Sequence, residues 1–190
     1  MRNILKRTVL LGLAFGVLGM GLNLTAPPAQ STSKIDVRLL DQGDGRPKTV
    51  KAVGLINVPI AKVWKALTNY ADYQKFMPKI ASSKLEARKG NLAQATLMLD
   101  VPWPFTGTWY TNKYVETPSV HSIRWSMLKG SIKHNEGSWQ LKAQGKATYA
   151  TYTVTADLGV PVIPKWMYGE VTKSTIPSIF EAVEKYSVRL

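Results

Sequence analysis

From Thr49 to Asn57, in TVKAVGLIN, apolar and polar residues alternate with the period of a strand that has one face in a core. After Pro59 the period changes. Ile60, Val63, Trp64 and Leu67 recur at helical spacing, and a proline is well tolerated at a helix's first turn. Thr68 and Asn69 interrupt this short helix. Tyr70, Tyr73, Phe76 and Met77 then predict a second one, which stops before Pro78 because a residue preceding proline avoids helical backbone. From Lys79 to Asp157 the chain reads almost wholly as strand. Turn signals at Arg88–Asn91, Val101–Phe105, Thr117–Ser119, Lys129–Ser131 and Ala143–Lys146 divide it into six strands. The last segment, Lys165–Leu190, returns to helical spacing through Trp166, Val171, Ile176, Ile179, Phe180 and Val183. Pro177 has no N–H to give the carbonyl of Lys173, so a kink is expected there.

This order predicts an α+β fold: a curved antiparallel seven-stranded sheet wrapped around a long C-terminal helix, with two short helices after the first strand. One helix cannot fill such a sheet, which leaves room for a cavity between the two, the usual kind of place for a small apolar ligand. The domain covers residues 48–190. Residues 32–47 form a linker with a short strand, in which the apolar run Ile35–Leu40 is followed by the turn sequence DQGDGRP.

The beginning of the chain reads differently. Arg2, Lys6 and Arg7 precede an apolar run from Thr8 to Leu22, and small residues follow in TAPPAQS. The run is shorter than the ~20 residues that span a bilayer comfortably. Residues 1–31 therefore read as a cleavable signal peptide and the protein as exported, periplasmic or secreted, with an N-terminal membrane anchor as the alternative if the signal stays uncleaved. Removing those three cations lowers the formal charge from +13 to +10, so the basic excess belongs to the domain itself. A basic surface attracts nucleic acid and anionic lipid alike. No RNA-binding aromatic pattern is present on the strands and an exported chain rarely meets nucleic acid, so an anionic membrane surface is the expected macromolecular partner and nucleic acid is not.

The catalytic repertoire is thin. The chain has no cysteine, hence neither disulfide nor thiol chemistry, and no nucleophile elbow, zinc-protease motif or phosphate-cradling glycine loop. His121 and His134 lack the spacing of metal ligands, and Asp100 and Asp157 end strands, where they serve turns. No catalytic, metal or cofactor-binding residue is assigned and no cofactor is expected. Strand alternation places Tyr152 and Val154 inward on the last strand and makes Trp109, Trp125, Met127 and Trp139 the comparable residues of earlier ones. Met167, Val171 and Ile179 of the terminal helix would cover them as the remaining ligand-binding residues.

VPIAKVWKALTNYADYQKFMP (Val58–Pro78), GSWQL (Gly137–Leu141), ATYATYTVTADLGVPVIP (Ala147–Pro164) and IPSIFEAV (Ile176–Val183) together resemble the START-like helix-grip superfamily. That group includes START lipid-transfer domains, polyketide cyclases/dehydrases and coenzyme Q-binding START-like proteins, and the resemblance covers about residues 48–188. It implies that Trp64, Tyr70, Tyr73, Phe76 and Pro78 plug the open side of the sheet. It also implies a binding or transfer protein for a hydrophobic small molecule, such as a lipid or quinone, or alternatively a polyketide cyclase/dehydratase-like enzyme using the same cavity. The shortage of paired titratable residues on the strands favours binding. Alternate connections of a meander share one end, so VPWPF, LKGSIK (Leu128–Lys133) and LGVPVIPKW (Leu158–Trp166) should cluster there. Trp103, Lys129, Lys165 and Trp166 would then face an anionic membrane.

Overall fold

The computed structural model describes residues 35–40, 48–101, 106–159 and 170–190, with residues 171 and 172 described by backbone only. The expectations for residues 1–31, Trp103, Lys165, Trp166 and Met167, and for the Val171 side chain, lie outside the described residues.

In chain order the elements are β1 (Asp36–Leu40), β2 (Thr49–Ile56), α1 (Ile60–Leu67), a 3-10 turn (Tyr70–Asp72), α2 (Tyr73–Phe76), β3 (Ile80–Lys89) and β4 (Leu92–Leu99). They continue with β5 (Trp109–Thr117), a 3-10 turn (Pro118–Val120), β6 (Ser122–Gly130), β7 (His134–Gln144), β8 (Ala147–Asp157), a π-helical turn (Val171–Thr175) and α3 (Ile176–Val188). The strands form one antiparallel sheet in the order β1-β2-β8-β7-β6-β5-β4-β3. Chain neighbours pair throughout except between β2 and β3. There α1 and α2 carry the chain from one side of the sheet to its far edge. Register shifts at Ile80/Ser82, Leu85/Ala87 and Thr111/Asn112 mark bulges, which bend the sheet and deepen its concave face.

The sheet has eight strands where seven were expected, because the short run before the DQGDGRP turn pairs with β2 from Asp36↔Val53 to Leu40↔Thr49. Its alternate residues Ile35, Val37 and Leu39 pack against the core, so adding a strand buries apolar surface as well as covering an edge. On α3 the buried residues Ile176, Phe180, Val183 and Ser187 form the stripe that faces the sheet. The helix is not one continuous α-helix. A π turn ends at Thr175 and the α-helix begins at Ile176, so Pro177 lies in a first turn, where a missing N–H costs least. At the place where the kink is expected the backbone changes helical pitch, and Ser178 Oγ donates to the Thr175 carbonyl at 2.8 Å beside it. Among the described residues no helix is long and apolar enough to cross a membrane.

A candidate ligand cavity

The concave face of the sheet and α3 enclose a cavity of about 460 Å³, within the range of small-molecule sites. The inward phase of each central strand builds its wall. β4 supplies Leu97 and Leu99, β5 Tyr110, Asn112 and Tyr114, β6 Ile123 and Trp125, β7 Asn135 and Trp139, and β8 Tyr152 and Val154. Ile176 and Ile179 of α3 form the opposite side, and Tyr73, Met77 and Pro78 close the flank between α2 and β3. Exposed Lys79 and Glu170 mark the outer end.

The wall is held by aromatic packing. Trp125 stacks on Tyr152 at 5.8 Å, and Trp139 lies 4.6 Å from Tyr152 and 5.3 Å from Phe180, each between ring centres. Trp125 Nε1 donates to Asn135 Oδ1 at 2.7 Å, which fixes the indole and satisfies a buried amide. Burial pushes the phenols of Tyr73, Tyr114 and Tyr152 well up and that of Tyr110 to about 12. Near neutral pH these groups are uncharged hydroxyls.

The aromatic plug has its own network. Tyr70 stacks on Tyr114 at 4.0 Å and donates to Glu116 Oε1 at 3.0 Å. Arg88 Nη1 donates to both Glu116 oxygens, at 2.9 and 3.1 Å, and its Nη2 donates to the Thr68 carbonyl at 2.8 Å. This pair therefore joins β3, β5 and the end of α1. Glu116 is not part of the cavity wall. Tyr73 donates to the Leu67 carbonyl at 2.6 Å, and Trp64 meets His121 edge-on at 5.5 Å. Of the expected plug residues, Tyr73 and Pro78 are also wall.

Among the residues assigned to ligand from the sequence, Trp125, Trp139, Tyr152, Val154 and Ile179 stand in the wall. Trp109 does not. It pairs with Met98, which is 43% exposed, whereas the next residue, Tyr110, pairs with cavity-lining Leu97. With a side-chain period of two, Trp109 belongs to the outer face. Met127 packs against the core without entering the wall. Tyr110, Asn112, Tyr114 and Asn135 were missed, although their signal was present: in Tyr110-x-Asn112-x-Tyr114 the intervening Lys113 marks the other phase as the solvent side.

Other polar candidates lie elsewhere. His134 is 3.6 Å from Glu136, and Asp157 Oδ1 accepts from the Gly159 amide at 2.8 Å, a turn role. Among the described residues no cluster of three His, Asp or Glu could hold a metal ion. The described parts of the three connections expected to cluster meet at one end of the sheet. The Asp100 amide donates to the Lys79 carbonyl, the Ser131 amide to that of Trp109, and the Lys133 amide to that of Asp157, each at 2.9 Å. Lys79 places that end at the outer end of the cavity.

A curved sheet gripping a C-terminal helix, with an apolar cavity between them and an aromatic plug at its side, defines the helix-grip class of small-molecule-binding folds. Residues 56–184 match the family model described as polyketide cyclase / dehydrase and lipid transport, and the chain belongs to that family. An uncharacterised protein of Pseudomonas aeruginosa is 26% identical, over 97% of this chain and 100% of its own. The STAR-related lipid transfer protein of Xanthomonas axonopodis superposes with a TM-score of 0.68 at 20% identity, covering 86% of this chain and 97% of that one. The Zhui aromatase/cyclase of Streptomyces sp. R1128 gives 0.64 at 16% identity, covering 74% and 93%. At these identities the two solved structures share the fold. A lipid-transfer protein and an aromatase/cyclase are thus built on one architecture.

Proposed function

We propose that this protein binds and carries a hydrophobic small molecule, a lipid, quinone or similar compound, in the cavity between sheet and α3. The observation that carries this reading is the chemistry of the wall: apolar and aromatic side chains interrupted by neutral hydroxyls and amides, with Lys79 and Glu170 at the outer end and, among the described residues, no histidine and no carboxylate pair. Such a wall can desolvate and orient a ligand, and its one described carboxylate, Glu170, has no histidine or second carboxylate in the described lining to form an acid–base pair with. That weighs against the cyclase/dehydratase alternative. Burying ten methylenes contributes about 8 kcal/mol gross, and association costs at least ~4 kcal/mol. The remainder suits a carrier, which has to release what it binds.

The reading includes export, supported by the basic, apolar and small-residue order of residues 1–31. It also includes an anionic membrane partner, supported by the aromatic and basic residues Trp103, Lys129, Lys165 and Trp166 that the sequence places in three connections of the meander. Cell fractionation tests the first and salt-dependent co-sedimentation with anionic vesicles the second. The central claim is checked by native mass spectrometry of the purified protein before and after organic extraction. A lipid-sized adduct should be present and extractable, and adding it back should raise the melting temperature, because a ligand of the native state stabilises it. An empty protein whose melting is indifferent to quinones, sterols and fatty acids defeats the proposal.

A further inference from the structure

The cavity wall contains one polar atom whose needs the protein does not meet. Asn112 is 2% exposed and lies between Tyr110 and Tyr114 in the inward phase of β5. Its Oδ1 is buried with no hydrogen-bond partner, and its Nδ2 reaches only the Tyr114 hydroxyl, at a long 3.4 Å. The other wall amide, Asn135, is engaged, because its Oδ1 accepts from Trp125. An orphaned buried acceptor costs the fold its full desolvation, and folded proteins keep few of them. The Tyr114 hydroxyl, which accepts that long bond from Nδ2, lies beside the same amide, and among the described residues it donates to no partner of its own. An acceptor and a donor are thus left unmet side by side.

We propose that Asn112, together with Tyr114, recognises a hydroxyl group on the apolar ligand; this rests on the cavity being the ligand site. A hydroxyl donates to Asn112 Oδ1 and accepts from the Tyr114 phenol. A ketone or ester carbonyl meets the second need and not the first, and a hydrocarbon meets neither. The pair is a specificity determinant, separate from the apolar bulk that gives affinity. Burial keeps the Tyr114 proton in place, so the donor persists across the physiological range.

Trp125 and Trp139 lie in the same wall, so intrinsic fluorescence reports occupancy. The experiment titrates the full chain with dodecanol, the methyl ketone of equal length, and dodecane. Dodecanol should bind roughly tenfold tighter than the ketone, the factor that one added hydrogen bond supplies. In Asn112→Leu that advantage should vanish while dodecane binding persists, and the ligand-free variant should melt at a higher temperature because a buried orphan is gone. Equal binding of alcohol and ketone by the wild type overturns the inference and leaves the carrier reading intact. Binding of none of the three overturns both. An alcohol preference that survives in Asn112→Leu, or a variant that melts lower, places the recognition elsewhere. Equal binding of alcohol and ketone by the wild type overturns the inference even if the variant does not fold.

Discussion

Gly137 shows how closely the wall is fitted at the level of single atoms. It pairs with Trp125 across β6 and β7, and a Cβ at this position would run into both the indole ring and the Thr153 carbonyl. The glycine is there because the ring needs the space. Gly137→Ala should therefore cost about 1–3 kcal/mol, the usual range for overpacking, and should displace the Trp125 ring from Asn135. Urea denaturation reads the first effect and a shift of tryptophan emission the second. A variant as stable as wild type, with unchanged emission, would mean that the ring does not lie against Gly137. Single residues were also where the sequence was least legible. Trp109 reads from the sequence as comparable to the inward residues of the last strand, but position in a strand is decided by phase, and its phase is that of Lys113 on the outer face. The smaller and more polar Asn112 was overlooked because a cavity wall, unlike a core, has use for an amide.

At the scale of elements the sequence was far more legible, since a period sustained over eight or more residues overrides the identity of any one. The two short helices, the meander and the terminal helix all followed from changes of period. The eighth strand was visible as a short apolar run, but its pairing depends on an edge of β2 that local sequence does not reveal. The docking of α2 on α3 was equally hidden, because it joins residues more than a hundred positions apart. Phe76 stacks on Tyr186 at 4.1 Å with an interplanar angle of 7°, and Tyr186 donates to Asp72 Oδ2 at 2.7 Å. Lys75, Tyr186 and Asn69 all bond to the Asp72 carboxyl and hold it below its usual 3.8. A depressed carboxyl adds stability that is fully present above 3.8 and is lost as pH falls through the lower, folded value. Tyr186→Phe keeps the stack and removes the hydrogen bond. It should cost about 1 kcal/mol near neutral pH, and less of its stability should be lost on acidification than in wild type. Denaturant titrations near pH 7 and at about pH 3 check both; an unchanged acid dependence would show that the bond does not form.

Over the whole molecule, the sheet, the plug and α3 together enclose tyrosines that neither a strand nor a helix could shield alone. Tyr73 and Tyr152 approach the cavity from opposite ends of the chain, with Tyr110 and Tyr114 between them, and Tyr70 backs Tyr114. Desolvation is the largest cause of the upward shift of each, and for Tyr70 the neighbouring Glu116 adds to it. The sign follows from linkage: a phenol whose folded value is raised contributes stability that is complete below the usual 10.0 and is lost as pH rises through the folded value. Tyr110 is raised to about 12 by its burial, so its share of this stability is lost as pH rises through that value. The prediction concerns cooperativity. On raising the pH past 10, tyrosinate absorbance should show a fraction that ionises reversibly with the fold intact. The five enclosed phenols should then ionise in a single step that coincides with loss of the near-ultraviolet dichroism of Trp125 and Trp139. The coincidence is required because no one of these hydroxyls can be charged without admitting water to the space shared by most of the others. Gradual, reversible ionisation of the whole set near pH 10, with the fold intact, would mean that water already reaches the wall and that the cavity is not the apolar compartment described.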